Sequence, residues 1–91
     1  MKEKTIYIGK VLRTLRIAKG LTQEKLANEI NLDRGFISEL ERNKKAPSYY
    51  TIFKLAKGLG MPPEEFTKKV NESLDFDSML EQEFTSPKMD K

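Results

Sequence analysis

The stretch LTQEKLANEINLDRGFISELERNKKAP, residues 21–47, reads as two short helices joined by a tight turn. Thr22 suits the N-cap of the first, because its hydroxyl can accept from the free N–H groups of a helix opening at Gln23. Leu26, Ala27 and Ile30 then fall on one side at helical spacing. Asn31 follows, and asparagine tolerates the left-handed backbone that ends helices and makes turns. Asp33 is placed to cap a second helix, Arg34–Arg42, with a buried stripe of Ile37, Leu40 and the flank of Phe36. The other face carries Arg34, Gly35, Ser38, Glu39 and Arg42. A short helix of this kind, roughly 15 Å long by helical rise, suits insertion into a DNA major groove.

Leu21-Thr22-Gln23, Leu26-Ala27, Ile37-Ser38-x-Leu40-Glu41-Arg42 and Pro47-Ser48 occur in that order and at fixed spacing. In this the chain resembles the lambda-repressor/Cro-like helix-turn-helix transcription factors over about residues 8–70. Within that family, LDRGFISELERN is most similar to the controller proteins of restriction–modification systems and to small phage or plasmid repressors. Two positions depart from the family pattern. Asn43 stands where glycine is frequent, and Gly35 leaves a recognition-helix position without a side chain.

Outside this pair, Ile8, Val11, Leu12 and Leu15 follow the i, i+3, i+4, i+7 template, which predicts a helix from about Tyr7 to Lys19, stopped at Gly20. Asn43–Pro47 reads as a loop, since proline disfavours helix at the residue before it. Ser48 caps a fourth helix, with Ile52, Phe53, Leu55, Ala56 and Leu59 expected in the core. Met61-Pro62-Pro63 breaks the chain. A fifth helix opens there with Glu64 and Glu65 in its positive first turn and buries Phe66 and Val70. The expected fold is all-α: a compact five-helix lambda-repressor-like domain over residues 1–74, with the helix-turn-helix at 22–42. Residues 75–91 form an acidic extension with room for a short sixth helix and a disordered end.

Composition narrows the chemistry. The 91 residues contain neither Cys nor His, so disulfides, thiolate metal sites and the commonest general base are missing. Glu39 and Glu41, two apart on a helix, point in different directions and cannot act as an acid–base couple. No apolar run approaches a transmembrane span, and the start, MKEKTIYIGK, lacks a signal-peptide core. The expectation is a cytoplasmic, non-enzymatic protein with no cofactor, no metal and no membrane partner. Net charge is +3, but residues 1–70 carry +7 and residues 71–91 carry −4. The basic body coincides with the helix pair, which fits double-stranded DNA as the partner.

Arg34, in the first turn of the second helix of the pair, suits bidentate contact with guanine O6 and N7. Ser38 lies one turn later. Glu39 suits either cytosine N4 or solvent, and Phe36 either a thymine methyl or the core. Gly35 allows close approach of backbone to base edges. Thr22 and Gln23, at a helix N-terminus, are expected to bind phosphate, and the resemblance adds Asn43, Lys44, Lys45 and Arg13. It further implies an inter-helix ion pair between Arg16 and Glu41 that sets the angle of the reading helix.

Phe66, Val70 and Leu74 share a stripe on the fifth helix, and Phe76, Met79, Leu80 and Phe84 add apolar surface beyond it. A contiguous exposed patch of that kind marks an interaction site. The resemblance implies a two-fold interface, hence a homodimer. An alternative is an antitoxin, with the extension occupying a protein partner.

Overall fold

A few polar residues start and stop the helices. In the computed structural model, which describes residues 5–74 and 79–82, the chain forms α1 (Gly9–Ala18), α2 (Gln23–Glu29), α3 (Arg34–Glu41), α4 (Tyr49–Gly58) and α5 (Pro63–Ser73), and residues 79–82 are also helical. There is no strand among the described residues. Thr22 Oγ1 accepts from the Lys25 N–H at 3.0 Å and Ser48 Oγ from the Thr51 N–H at 3.1 Å, so both expected caps form. Asp33 occupies the N-cap of α3 without a side-chain capping bond.

The four helices α1–α4 end alike. Gly20, Asn31, Asn43 and Gly60 each take a positive φ, between 58° and 74°. The next residue's N–H then reaches back over the last turn: Leu21 to Arg16 O, Leu32 to Ala27 O, Lys44 to Glu39 O and Met61 to Ala56 O, all at 2.9–3.1 Å. This is the Schellman arrangement, which normally adds an apolar contact from the residue after the left-handed one. Leu21, Leu32 and Met61 do pack against the core. Lys44 is the exception, a cation left exposed.

The core is built around Leu12 of α1, Leu26 of α2, Ile37 and Leu40 of α3, Leu55 and Leu59 of α4, and Phe66 of α5, all fully buried. Helix α2 packs on α3, α4 on α5, and α1 on both α3 and α5. Where α1 meets the end of α3, backbone lies against backbone. The Gly9 N–H donates to Asn43 Oδ1 at 3.0 Å. A Cβ at Gly9 would overlap Glu41 O and stand 2.7 Å from Leu40 O, so only glycine fits.

Several expectations are corrected. Helix α1 opens at Gly9 rather than Tyr7, with Ile8 as its cap residue, and ends at Ala18. Helix α3 ends at Glu41, with Arg42 as its C-cap. Phe53, expected in the core, is 42% exposed, because one residue past Ile52 turns it about 100° round α4, off the stripe of Ile52, Leu55, Ala56 and Leu59. Phe66 and Val70, expected to meet a partner subunit, are buried within the protomer's own core; only Val70, 6% exposed, keeps an edge at the surface, in a groove beside Ile52 and Tyr49. Leu74 is half-buried, and with Val11, Leu15 and Met79 it lines a groove on the same domain. Leu80 is 45% exposed; Phe76 and Phe84 lie outside the described residues. None of the described helices is long and apolar enough to cross a membrane.

Candidate nucleic-acid interface

The N-terminal ends of α2 and α3 and the loop after α3 supply the expected polar surface. Helix α3 is held on its apolar side by Ile37 and Leu40, both fully buried, which turns its remaining side chains outward. Arg34 and Gly35 are exposed, whereas Phe36, Ser38 and Glu39 are half-buried. Phe36 packs against the core with part of its ring. Ser38 Oγ accepts from Arg42 Nε at 3.2 Å, which leaves its hydrogen available and brings the exposed Arg42 guanidinium to the same row. The sequence places Arg42 only on the polar face; its bond to Ser38 sets a further exposed cation beside that residue on α3.

Behind this face sits a polar cluster that fixes α3 against α1 and α2. Arg16 is 7% exposed. Its Nε donates to Glu41 Oε2 at 2.5 Å and its Nη2 to Glu41 Oε1 at 3.0 Å, a bidentate pair. Its Nη1 donates to Leu21 O at 2.7 Å. The expected ion pair between helices is therefore present, and Arg16 also holds a carbonyl of the link between α1 and α2. The hydrogen bond to Glu41 raises the Arg16 pKa, burial lowers it, and the Glu41 charge raises it, with a net upward shift. A raised folded-state pKa stabilises the fold at every pH below the arginine range and is lost only above it. From the Arg16 side, no pH dependence arises near neutrality.

Gln23 Nε2 also donates to Glu41 Oε1, at 3.0 Å. One amide hydrogen of Gln23 is thus held inward, while its second hydrogen and the orphan N–H at the start of α2 remain for an anion. Thr22 is similar: its oxygen accepts from Lys25, and its hydrogen is free to donate. Thr22, Gln23, Glu24, Arg16 and Arg34 line one shallow depression where the three helix ends meet.

The other phosphate candidates divide. Asn43 has its Oδ1 committed to Gly9, so its first role is to join α3 to α1, and only its amide hydrogens face outward chemistry. Lys44 and Lys45 are exposed in the loop, and among the described residues neither forms an ion pair. Arg13 is exposed on α1.

Two features carried no sequence signal. At the start of α3, the Asp33 carboxylate folds over Gly35: a Cβ at position 35 would stand 2.8 Å from Asp33 Oδ2. On α4, Tyr49, Tyr50 and Phe53 are 70%, 68% and 42% exposed. The Tyr49 and Phe53 rings meet edge to face at 4.9 Å. Lys54 Nζ lies 5.5 Å from the Tyr50 ring centre and donates to Asn31 O at 3.4 Å, tying this aromatic row to the α2–α3 turn.

Comparison with known proteins agrees with this geometry. The helix-turn-helix family model matches residues 12–66. Control protein C.BamHI of Bacillus amyloliquefaciens is 38% identical over 61 residues, which span 66% of this chain and 75% of the relative. The restriction-modification controller protein C.AhdI from Aeromonas hydrophila superposes with a TM-score of 0.63 at 43% identity, over 67% of this chain and 92% of that one. The controller protein C.Esp1396I, solved as a tetramer in complex with its natural 35 base-pair operator, gives a TM-score of 0.67 at 34% identity, over 71% and 86%.

Proposed function

Since the chain belongs to the helix-turn-helix family of DNA-binding transcription regulators, we propose that it acts as a homodimeric repressor or controller on a two-fold operator. Helix α3 enters the major groove, with Arg34 taking guanine O6 and N7. The single observation that carries this reading is the buried Arg16–Glu41–Gln23 cluster. It locks the N-terminus of α2 beside α3, so one rigid unit presents a phosphate-binding helix end and a base-reading helix together. The exposed Lys44 supports the same reading: an apolar residue would complete the helix end there, and a lysine serves a polyanion better.

The dimer contact we assign to the aromatic face of α4. Tyr49 borders an apolar groove formed with Ile6, Ile8, Pro47, Ile52 and Val70. A projecting aromatic pair next to a groove is self-complementary under a two-fold axis, where each copy's rings enter the other's groove. Aromatic side chains also bury about 150–250 Å² each, enough for three per subunit to form the core of an interface. That the relative C.Esp1396I binds its operator as a tetramer supports assembly of several copies on one duplex.

Selection of bound fragments from genomic or random DNA tests this reading. Enriched sites should contain inverted repeats with centres about 34–36 Å apart, one duplex turn, or a multiple of it. On a selected duplex, log K should fall linearly with log salt, since several phosphates are neutralised per subunit. No enrichment, or a flat salt dependence, would contradict it.

A further inference from the structure

The reading helix of this chain lacks a side chain at Gly35, and the space is not empty. Asp33 Oδ2 stands 2.8 Å from where a Cβ of residue 35 would be. The carboxylate is exposed, makes no capping bond to α3, and forms no ion pair among the described residues. An N-cap aspartate that merely capped its helix would accept from the second or third N–H, and this one does not. It lies instead at the end of α3 that carries Arg34, held there by the favourable field of the helix N-terminus.

A bare carboxylate in this place is repelled by phosphates, so it is compatible with DNA only where a donor meets it. In the major groove, cytosine N4 is the donor that suits an aspartate oxygen. We infer that Asp33 is a second base-reading residue of this regulator, its carboxylate accepting from a cytosine amino group, and that Gly35 is the residue that leaves room for it. The inference rests on the proposed role of α3 in the major groove. It reverses the meaning of Gly35: the missing side chain is what admits the neighbouring one to the groove.

Three variants of the full chain test it: Asp33→Ser, Gly35→Ala and the double substitution. Serine remains a good N-cap and alanine is a better helix former than glycine, so thermal unfolding should stay within a few degrees of the unsubstituted chain. Each is titrated against a selected operator and its complete set of single-base substitutions. Asp33→Ser should lose about 5- to 150-fold of discrimination at one C·G pair per half-site, with the profile elsewhere unchanged. Gly35→Ala, whose methyl displaces the carboxylate, should flatten the same pair, and the double variant should lose no more than either single one. An equal loss at every position would make Asp33 a cap only and overturn the inference. So would an unaltered profile, or single losses that add in the double variant. If the unsubstituted chain itself showed no selectivity, the regulator reading would fall first, a result distinct from all of these.

Discussion

Glu41→Ala is expected to destabilise the domain by about 3–5 kcal/mol, the usual cost of removing one partner of a buried ion pair. The loss does not come mainly from the attraction between the charges. It comes from Arg16, 7% exposed, whose Nε and Nη2 both donate to Glu41 and would then be buried without an acceptor. Stability of this order is a large share of what a small domain possesses, so much of the variant should be unfolded near 37 °C. Replacing both residues by apolar ones of similar volume, Arg16→Met with Glu41→Leu, should recover much of the loss, because no charge is stranded. That double variant should nonetheless bind operator more weakly, since Gln23 loses the Glu41 oxygen that orients it. Chemical denaturation of the three chains, followed by operator titration of the folded ones, checks both statements. A Glu41→Ala chain of near-native stability would show that the pair is dispensable to the fold.

Tyr49→Ser with Phe53→Ser should give a folded monomer. Tyr49 is 70% and Phe53 42% exposed in the protomer, and surface substitutions of this kind usually change stability by no more than about 0.5 kcal/mol. Their effect should appear instead in assembly and in DNA binding. Two half-sites bound by one dimer gain about 10²–10⁴ in affinity over a single engagement, and a monomer forfeits that gain. Sedimentation at several concentrations and titration of a two-fold operator measure the two effects on one sample. A variant that stays dimeric would move the interface off α4, and the exposed Leu80 would then be the position to substitute.

Local chemistry was legible in the sequence, and distant geometry was not. Thr22 and Ser48 cap their helices, and Asn31 takes the left-handed turn, because each of these depends on neighbours within a few residues. The Gly9–Asn43 bond spans 34 positions, and nothing near either residue announces it. The resemblance makes Asn43 a phosphate ligand; the structure adds that its oxygen accepts from the Gly9 N–H, which leaves its amide hydrogens for that role. Phe53 stands beside Ile52 in an apolar run, but one residue is about 100° of helix, enough to carry a ring from core to surface. On α5, helical spacing showed correctly that Phe66 and Val70 are buried, yet periodicity does not say against what. They pack in their own protomer, and only an edge of Val70 reaches the groove beside Tyr49. The position of the Asp33 carboxylate depends on one missing methyl at Gly35, which only coordinates can display.

In the proposed complex α3 reads bases, and Arg34 does so directly. The most direct measurement is the affinity of Arg34→Ala for a selected operator and for each of its single-base substitutions, at fixed salt. The expected result is a loss of about 1–3 kcal/mol on the preferred operator and a flattened preference at one G·C pair per half-site, with other positions keeping their rank. Lys44→Ala, measured beside it, should weaken every sequence alike and lower the salt slope by about one unit for each phosphate contact removed. If Arg34→Ala instead shifted all affinities equally, Arg34 would be a phosphate ligand and α3 would not be reading the sequence through it.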